Sequence, residues 1–331
     1  MLEHEQHILY VFPGQGSQYA GMGSDLHEEF AVARKIYAEA GEVLGYDIAE
    51  LSFADPEDKL NLTRYTQPAL LTHSVACLEI FRELTDDRLK PAITAGHSLG
   101  EYTALVAAKV LSFEGALRLV QKRGELMGTH GEGEMTAFPL ALDVIKPIAE
   151  KFNCAVAGCN LPEQTVVGGR SEDLEKVEQE VKENFRRKRP VRLKTEGAFH
   201  TFYMNKAAEL FRPVLEEATF ESAEARVLSN YTGGYHEDDP AKIRDGLYYQ
   251  LRNPVLWHAN LLTAFGDGVK MIFEFGGGIG PAETPDGKRP NLEGMIKKAS
   301  LAAEHEAQYR SAINLQSVRE TSDFVNNPEA G

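Results

Sequence analysis

The sequence has little cysteine, no long apolar run and a deficit of positive charge. Its 331 residues include three cysteines, Cys77, Cys154 and Cys159, and this odd, low number excludes a disulfide framework and fits a reducing compartment. No apolar run approaches the roughly 18 residues that a membrane helix needs. The first residues lack the basic and apolar regions of a secretory signal. We therefore expect a cytoplasmic protein that does not enter a membrane.

Positive charge is in the minority. There are 35 Lys and Arg residues against 50 Asp and Glu, which gives a net charge of −15 at pH 7. Because a chain this acidic repels a polyanion, nucleic acid is not an expected partner. Cys154 and Cys159 have no second Cys or His pair nearby, so no metal site is expected. Hydrophobic residues make up 43%, which is enough for a sizeable core.

Strand and helix patterns alternate along most of the chain. The apolar segments Ile8–Phe12, 91–96 and Met271–Phe275 are typical of buried strands, and the stretches between them carry apolar residues at helical spacing. This alternation predicts an α/β fold in which helices cover a hydrolase-like, mostly parallel sheet.

The middle of the chain follows a different order. Residues 131–198 show the pattern β-α-β-β-α-β, which predicts a small inserted ferredoxin-like α+β subdomain. We expect residues 1–130 and 199–300 to form the core domain around it. After residue 300 the sequence turns polar, and we expect 301–331 to be a C-terminal tail, a frayed helix followed by disorder.

The segment Gly96-His97-Ser98-Leu99-Gly100 matches the pattern G-x-S-x-G. It follows a predicted strand and precedes a predicted helix, the context in which a tight turn exposes a nucleophilic serine above a helix N-terminus. The two glycines leave room for the strained serine backbone. The alternative is that Ser98 only caps the helix.

A serine nucleophile needs a base, which is most often histidine. His200 follows a predicted strand and precedes a helix, so it can reach the same sheet edge as Ser98. A purely structural role for His200 is the alternative. His97 flanks the serine and can line the same site.

Seven motifs, in one order between residues 8 and about 275, match those of a known family. They are FPGQGSQ (12–18), TQPAL (66–70), GHSLGEY (96–102), QKRGELM (121–127), NLPEQ (160–164), AFHT (198–201) and QLRNPVLW (250–257). In these motifs the chain resembles the malonyl-CoA:acyl-carrier-protein transacylase family, which serves fatty-acid and polyketide synthesis.

The resemblance implies a role for each residue that does the chemistry. It makes Ser98 the nucleophile that takes the acyl group, and His200 its general base. It gives Gln250 the position whose backbone carbonyl orients the imidazole, in place of a triad carboxylate. It implies that the backbone N–H groups of Gln15 and Leu99 form the oxyanion hole.

The resemblance also implies a substrate pocket. Arg123 is expected to bind the malonyl carboxylate, because a planar guanidinium matches a carboxylate in a bidentate pair. Without the motif around it, Arg123 would be interpreted as a surface arginine of a helix. Gln67, His97 and Asn160 are expected to line the pocket. Phe199 is expected to favour malonyl over methylmalonyl groups, since its ring can fill the space of an α-methyl.

Two positions depart from the family pattern. Its usual Gly-Pro-Gly is replaced here by a longer glycine-rich loop over 276–290, which leaves the shape of that edge open, and Thr201 replaces the commoner serine.

The implied partner is an acyl carrier protein, which brings the phosphopantetheine thiol, while malonyl-CoA is a substrate and no resident cofactor is expected. A basic run could contact that acidic partner, or it could be a solvated helix end; it comprises Arg186, Arg187, Lys188 and Arg189. We expect a monomer. The alternatives to malonyl transfer are an editing acyl-thioester hydrolase of the same fold, against which Arg123 argues, and a non-catalytic subunit that binds carrier proteins.

Overall fold

The computed structural model describes residues 7–327. Within them the strands are β1 (Ile8–Phe12), β2 (Ile93–Gly96), β3 (Glu134–Phe138), β4 (Ala155–Leu161), β5 (Gln164–Gly169), β6 (Val191–Leu193), β7 (Arg226–Val227), β8 (Met271–Phe275) and β9 (Gln308–Ala312).

Within the described residues, helices connect all consecutive strands except β4 and β5, which a short turn joins. The α-helices are α1 (Ser24–Glu29), α2 (Ala31–Leu44), α3 (Ile48–Phe53), α4 (Thr63–Leu84), α5 (Gly100–Ala107), α6 (Phe113–His130), α7 (Leu142–Lys151), α8 (Ser171–Asn184), α9 (Asn205–Glu217), α10 (Pro240–Arg252), α11 (Trp257–Gly266), α12 (Glu293–Ala302) and α13 (Leu315–Asn326). Two single 3₁₀ turns lie at Phe202–Met204 and Pro285–Gly287. None of these helices is long and apolar enough to cross a bilayer.

The larger sheet has five parallel strands in the order β7-β2-β1-β8-β9. Its central strand β1 is an uninterrupted apolar run that is fully buried, as a parallel strand covered on both faces requires. Leu9 pairs with Ile93 on one side and with Ile272 on the other. The α/β fold with a parallel sheet covered by helices is therefore confirmed.

The smaller sheet is antiparallel, in the order β4-β5-β3-β6. Helices α7 and α8 pack on it around a separate apolar cluster that includes Phe138 and Leu174. These elements follow the β-α-β-β-α-β order that the sequence predicts, while the domain boundaries at 130 and 198 stay a prediction. Cys159 N donates to Val255 O (2.8 Å) and Val255 N to Ala157 O (3.0 Å), which ties this sheet to the core.

The expectation of a frayed C-terminal tail over 301–331 is wrong for the segment 308–326. Strand β9 extends the large sheet beside β8, and α13 begins at a capping box formed by Asn314 and Ser317. An edge strand has one neighbour and one exposed side, so the polar sequence of β9 suffices to form it. Residues 328–331, also assigned to the tail, lie outside the described residues.

Candidate active site

The turn between β2 and α5 holds Ser98 in a strained position. Its φ is 53°, in the left-handed region that non-glycine residues rarely adopt. A Cβ on Gly96 would lie 1.8 Å from Gly100 C, and one on Gly100 would lie 2.1 Å from Phe12 O. Both glycines are thus needed for the close packing of the turn. No side chain caps α5, so the capping role weighed for Ser98 is not observed.

Ser98 and His200 are brought together across the cleft. The Oγ of Ser98 lies 2.6 Å from Nε2 of His200, and Nδ1 of His200 lies 2.7 Å from the backbone O of Gln250. A carbonyl oxygen only accepts hydrogen bonds, so Nδ1 carries the proton and Nε2 is free to accept one from Ser98. The arrangement is a serine–histidine pair oriented by a backbone carbonyl.

His200 is held in its neutral form. Burial, together with the positive charge of Arg123, lowers the pKa of His200 to about 3, although the hydrogen bond to the Gln250 carbonyl opposes this shift. The imidazole is therefore neutral at pH 7 and can act as a base without first losing a proton.

Arg123 is a buried cation beside the serine. Only 1% of Arg123 is exposed. Its Nη1 donates to Gln67 Oε1 (2.8 Å), and its Nη2 donates to Gln250 Oε1 (3.0 Å) and Ser98 Oγ (3.3 Å). Its Nε is buried without a hydrogen-bond partner. Burial lowers the pKa of the Arg123 guanidinium. A buried cation with a spare donor is suited to an anionic ligand.

A cleft of about 950 Å³ opens onto Ser98 and His200. Four other predicted site residues line it as well, namely Gln15, His97, Asn160 and Phe199. His97 Nε2 lies 2.9 Å from Asn160 Oδ1, across the boundary between the large and the small sheet. Gln67, Arg123 and Gln250 are buried and are not among the residues that line this cleft, so the expectation that Gln67 lines it is not met. Arg123 hydrogen-bonds to Gln67, Gln250 and Ser98.

The predicted oxyanion donors lie where the Gly14–Gln15 loop meets the start of α5. A Cβ on Gly14 would lie 2.3 Å from His97 O and 3.6 Å from Leu99 N. Within residues 7–327, neither the N–H of Gln15 nor that of Leu99 donates a hydrogen bond to another protein group. Both donors are thus available for an external oxygen, near a helix N-terminus whose dipole favours negative charge.

Sequence reasoning missed a buried polar network under the turn. Ser98 N donates to Asn230 Oδ1 (2.7 Å), and Asn230 Nδ2 donates to Gly96 O (2.8 Å). Glu101 is fully buried and lies 2.7 Å from His236 Nε2. Asn230 follows a strand of the large sheet at its carboxyl end, and that placement is the signal that could have identified it.

The basic run does not line the cleft. Arg186, Arg187, Lys188 and Arg189 lie between α8 and β6, where Lys188 pairs with Glu163 at 2.8 Å. In the part of the chain that the structure describes, no group of three or more His, Cys, Asp or Glu residues is arranged to hold a metal ion.

Comparison with known proteins gives a consistent result. The family described as acyl transferase domain matches residues 9–275. A malonyl CoA-acyl carrier protein transacylase of Bacillus subtilis (strain 168) is 37% identical over 303 residues, which cover 88% of this chain and 90% of that protein. The polyketide biosynthesis malonyl CoA-acyl carrier protein transacylase PksC of the same organism is 37% identical over 303 residues, covering 90% and 98%.

Solved structures show the same likeness. A malonyl CoA-acyl carrier protein transacylase from Clostridium perfringens superposes with a TM-score of 0.85 at 29% identity, covering 98% of each chain. A malonyl-transacylase solved with a type II polyketide synthase acyl carrier protein, PlMCAT:AntF, superposes with a TM-score of 0.83 at 33% identity, covering 96% of this chain and 99% of that one.

Proposed function

The chain belongs to the acyl transferase domain family, and we propose that it transfers a malonyl group from malonyl-CoA to the thiol of an acyl carrier protein. The observation that carries the proposal is the hydrogen-bonded series from Ser98 Oγ to His200 and on to the Gln250 carbonyl. The family resemblance gives the acyl donor and acceptor, and the buried Arg123 beside Ser98 agrees with an anionic acyl group.

In the first half-reaction, Ser98 Oγ attacks the thioester carbonyl while Nε2 of His200 takes the hydroxyl proton. The negative oxygen that forms is stabilised by the N–H groups of Gln15 and Leu99. When the C–S bond breaks, the CoA sulfur leaves with the proton from His200. The product is a malonyl ester on Ser98.

In the second half-reaction, His200 takes the proton from the thiol of the carrier protein, and the sulfur attacks the ester carbonyl. The C–O bond breaks, and Ser98 Oγ recovers its proton from His200. The reaction is therefore ping-pong, with one site that serves the donor and the acceptor in turn, and no resident cofactor takes part in either step.

Arg123 selects the acyl group. Its guanidinium is 3.3 Å from Ser98 Oγ, so it lies within reach of a carboxylate on the acyl chain of the ester. Pairing with the guanidinium offsets the desolvation cost of burying the carboxylate, whereas an acetyl group leaves the cation without an anionic partner. Phe199, His97 and Asn160 are among the residues that line the cleft.

Mass spectrometry of the intact protein tests the function. After mixing with malonyl-CoA, we expect an adduct of malonyl mass on Ser98, which carrier protein then removes, and no adduct on Ser98→Ala. Steady release of free malonate without carrier protein would instead identify a hydrolase. Absence of any adduct on the wild-type protein would contradict catalysis and favour a binding subunit.

The basic run is proposed as a contact for the carrier protein, since a relative was solved with such a partner. Arg186 and Arg187 are exposed and lie outside the cleft. Reversing both charges to Glu should raise KM for carrier protein at low salt and leave acyl loading from malonyl-CoA intact. Reversal of Lys146 and Lys182, exposed lysines on α7 and α8, is the matched control. Unchanged carrier kinetics in the Arg186/Arg187 variant would refute the contact.

A further inference from the structure

The guanidinium of Arg123 is buried without an acidic partner. In the described residues 7–327 it forms no ion pair, and its hydrogen bonds go to the neutral oxygens of Gln67, Gln250 and Ser98. A buried cation normally pairs with a carboxylate, because desolvation is otherwise not offset. A nearby carboxylate would therefore be expected to pair with Arg123, unless another group keeps the two apart.

A buried carboxylate lies close by. Glu101 is fully buried, and its negative charge opposes the effect of burial on the pKa of Arg123. Its oxygens accept hydrogen bonds from Asn230 N (3.1 Å) and Gln250 Nε2 (3.1 Å), and one lies 2.7 Å from His236 Nε2. Glu101 thus accepts hydrogen bonds from groups other than Arg123. One side chain lies between Glu101 and Arg123.

That side chain is Gln250. Its Oε1 accepts from Arg123 Nη2 (3.0 Å), while its Nε2 donates to Glu101 Oε2 (3.1 Å) and to Ser98 O (2.8 Å). The amide can be oriented in only one way here, since the cation requires the oxygen and the carboxylate requires the NH₂ group. Gln250 is fully buried, so water does not replace it.

We propose that the side chain of Gln250 is a positioning residue that keeps Arg123 and Glu101 apart, so that the guanidinium stays available for the carboxylate of the acyl group. This role is separate from that of the Gln250 backbone carbonyl, which faces His200, and it rests on the proposed function. At low effective dielectric, a direct Arg123–Glu101 pair would be strong. An incoming acyl carboxylate would then have to displace Glu101 before it could bind.

The test measures the ratio of malonyl to acetyl loading on Ser98 by intact-protein mass spectrometry at limiting acyl-CoA. Gln250→Leu removes the amide, and Gln250→Asn shortens it so that it cannot span both partners. Each should lower the ratio about 10- to 100-fold, the size expected for losing a charged hydrogen bond. Asp245→Asn, on an exposed part of α10, is the control and should leave the ratio unchanged.

A second substitution separates this role from a loss of packing. Adding Glu101→Gln to Gln250→Leu removes the competing carboxylate, so the ratio should recover at least several-fold toward the wild-type value. A purely structural role predicts that the double variant is no better than Gln250→Leu, and that outcome would overturn the proposal. So would a ratio that stays at the wild-type value in Gln250→Asn. If the wild-type protein itself does not load malonyl, the proposed function fails, which is a different result.

Discussion

Replacing Arg123 with alanine should convert the site from one that prefers malonyl to one that does not. The side chain is 1% exposed and lies 3.3 Å from the nucleophilic oxygen. Removing one partner of a buried, hydrogen-bonded charge pair costs about 2–5 kcal/mol. At 1.36 kcal/mol for each factor of ten, kcat/KM for malonyl-CoA should fall about 30-fold to several thousand-fold, while acetyl-CoA improves or changes little.

The assay compares malonyl-CoA with acetyl-CoA for the wild-type protein, Arg123→Ala, Arg123→Lys and Arg118→Ala. Arg118 lies on the same helix, with 62% of its side chain exposed and a salt bridge to Glu114, so its loss should have no effect on either substrate. Lysine keeps the charge but not the planar fork, and should recover only part of the malonyl activity. Equal losses for both substrates in Arg123→Ala would refute the carboxylate role.

The pH dependence of activity in Arg123→Ala provides a second, independent test. The charge of Arg123 is one of the causes that lower the pKa of His200, after burial. His97 also lowers it, and the Gln250 carbonyl raises it. In Arg123→Ala the pKa of His200 should rise, so the acid limb of kcat/KM for acetyl-CoA should move to higher pH. An acid limb that does not move would contradict the electrostatic coupling.

Three further predictions concern stability and selectivity. Burial raises the pKa of Glu274 from 4.5 to about 7. Because the unfolded chain loses this proton at lower pH than the folded protein, the free energy of unfolding should fall as pH rises from about 4.5 to 7. Urea titrations of Glu274→Gln should not show this fall. Gly96→Ala should unfold the turn or cost more than about 3 kcal/mol, whereas Gly266→Ala, which meets nothing within 4 Å, should not destabilise in thermal melts. Phe199→Ser should raise the methylmalonyl-to-malonyl loading ratio by up to about 200-fold; an unchanged ratio would show that the ring does not exclude the methyl group.

The parts of the molecule that local sequence determines could be predicted. The strand–turn–helix around Ser98 has a short sequence pattern, and Gly96 packs against Gly100 within the turn itself, so a few residues suffice to predict it. The contact of Gly100 with Phe12 at the end of β1 is not local and could not be predicted in this way. The β-α-β-β-α-β order of 131–198 follows from hydrophobic spacing alone. The position of His200 after a predicted strand made a contact with Ser98 possible, and the resemblance supplied the pairing, since no spacing predicts a contact across 102 positions.

The parts that depend on distant partners could not be predicted. Strand β9 has a polar sequence and forms because β8 offers it an edge, where Tyr309 donates to Glu274 at 2.6 Å. The pairing of Glu101 with His236 joins residues 135 positions apart. In each case tertiary contacts override the local preference.

The position of β1 has a consequence for how the protein is made. Leu9 is synthesised long before Ile272, its partner on the neighbouring strand β8. During synthesis the apolar strand β1 can pair with β2 early, but its other edge stays unpaired until β8 has been made. Such long-range closure is slow, and during that delay the open edge of β1 is exposed to chaperone binding and to aggregation.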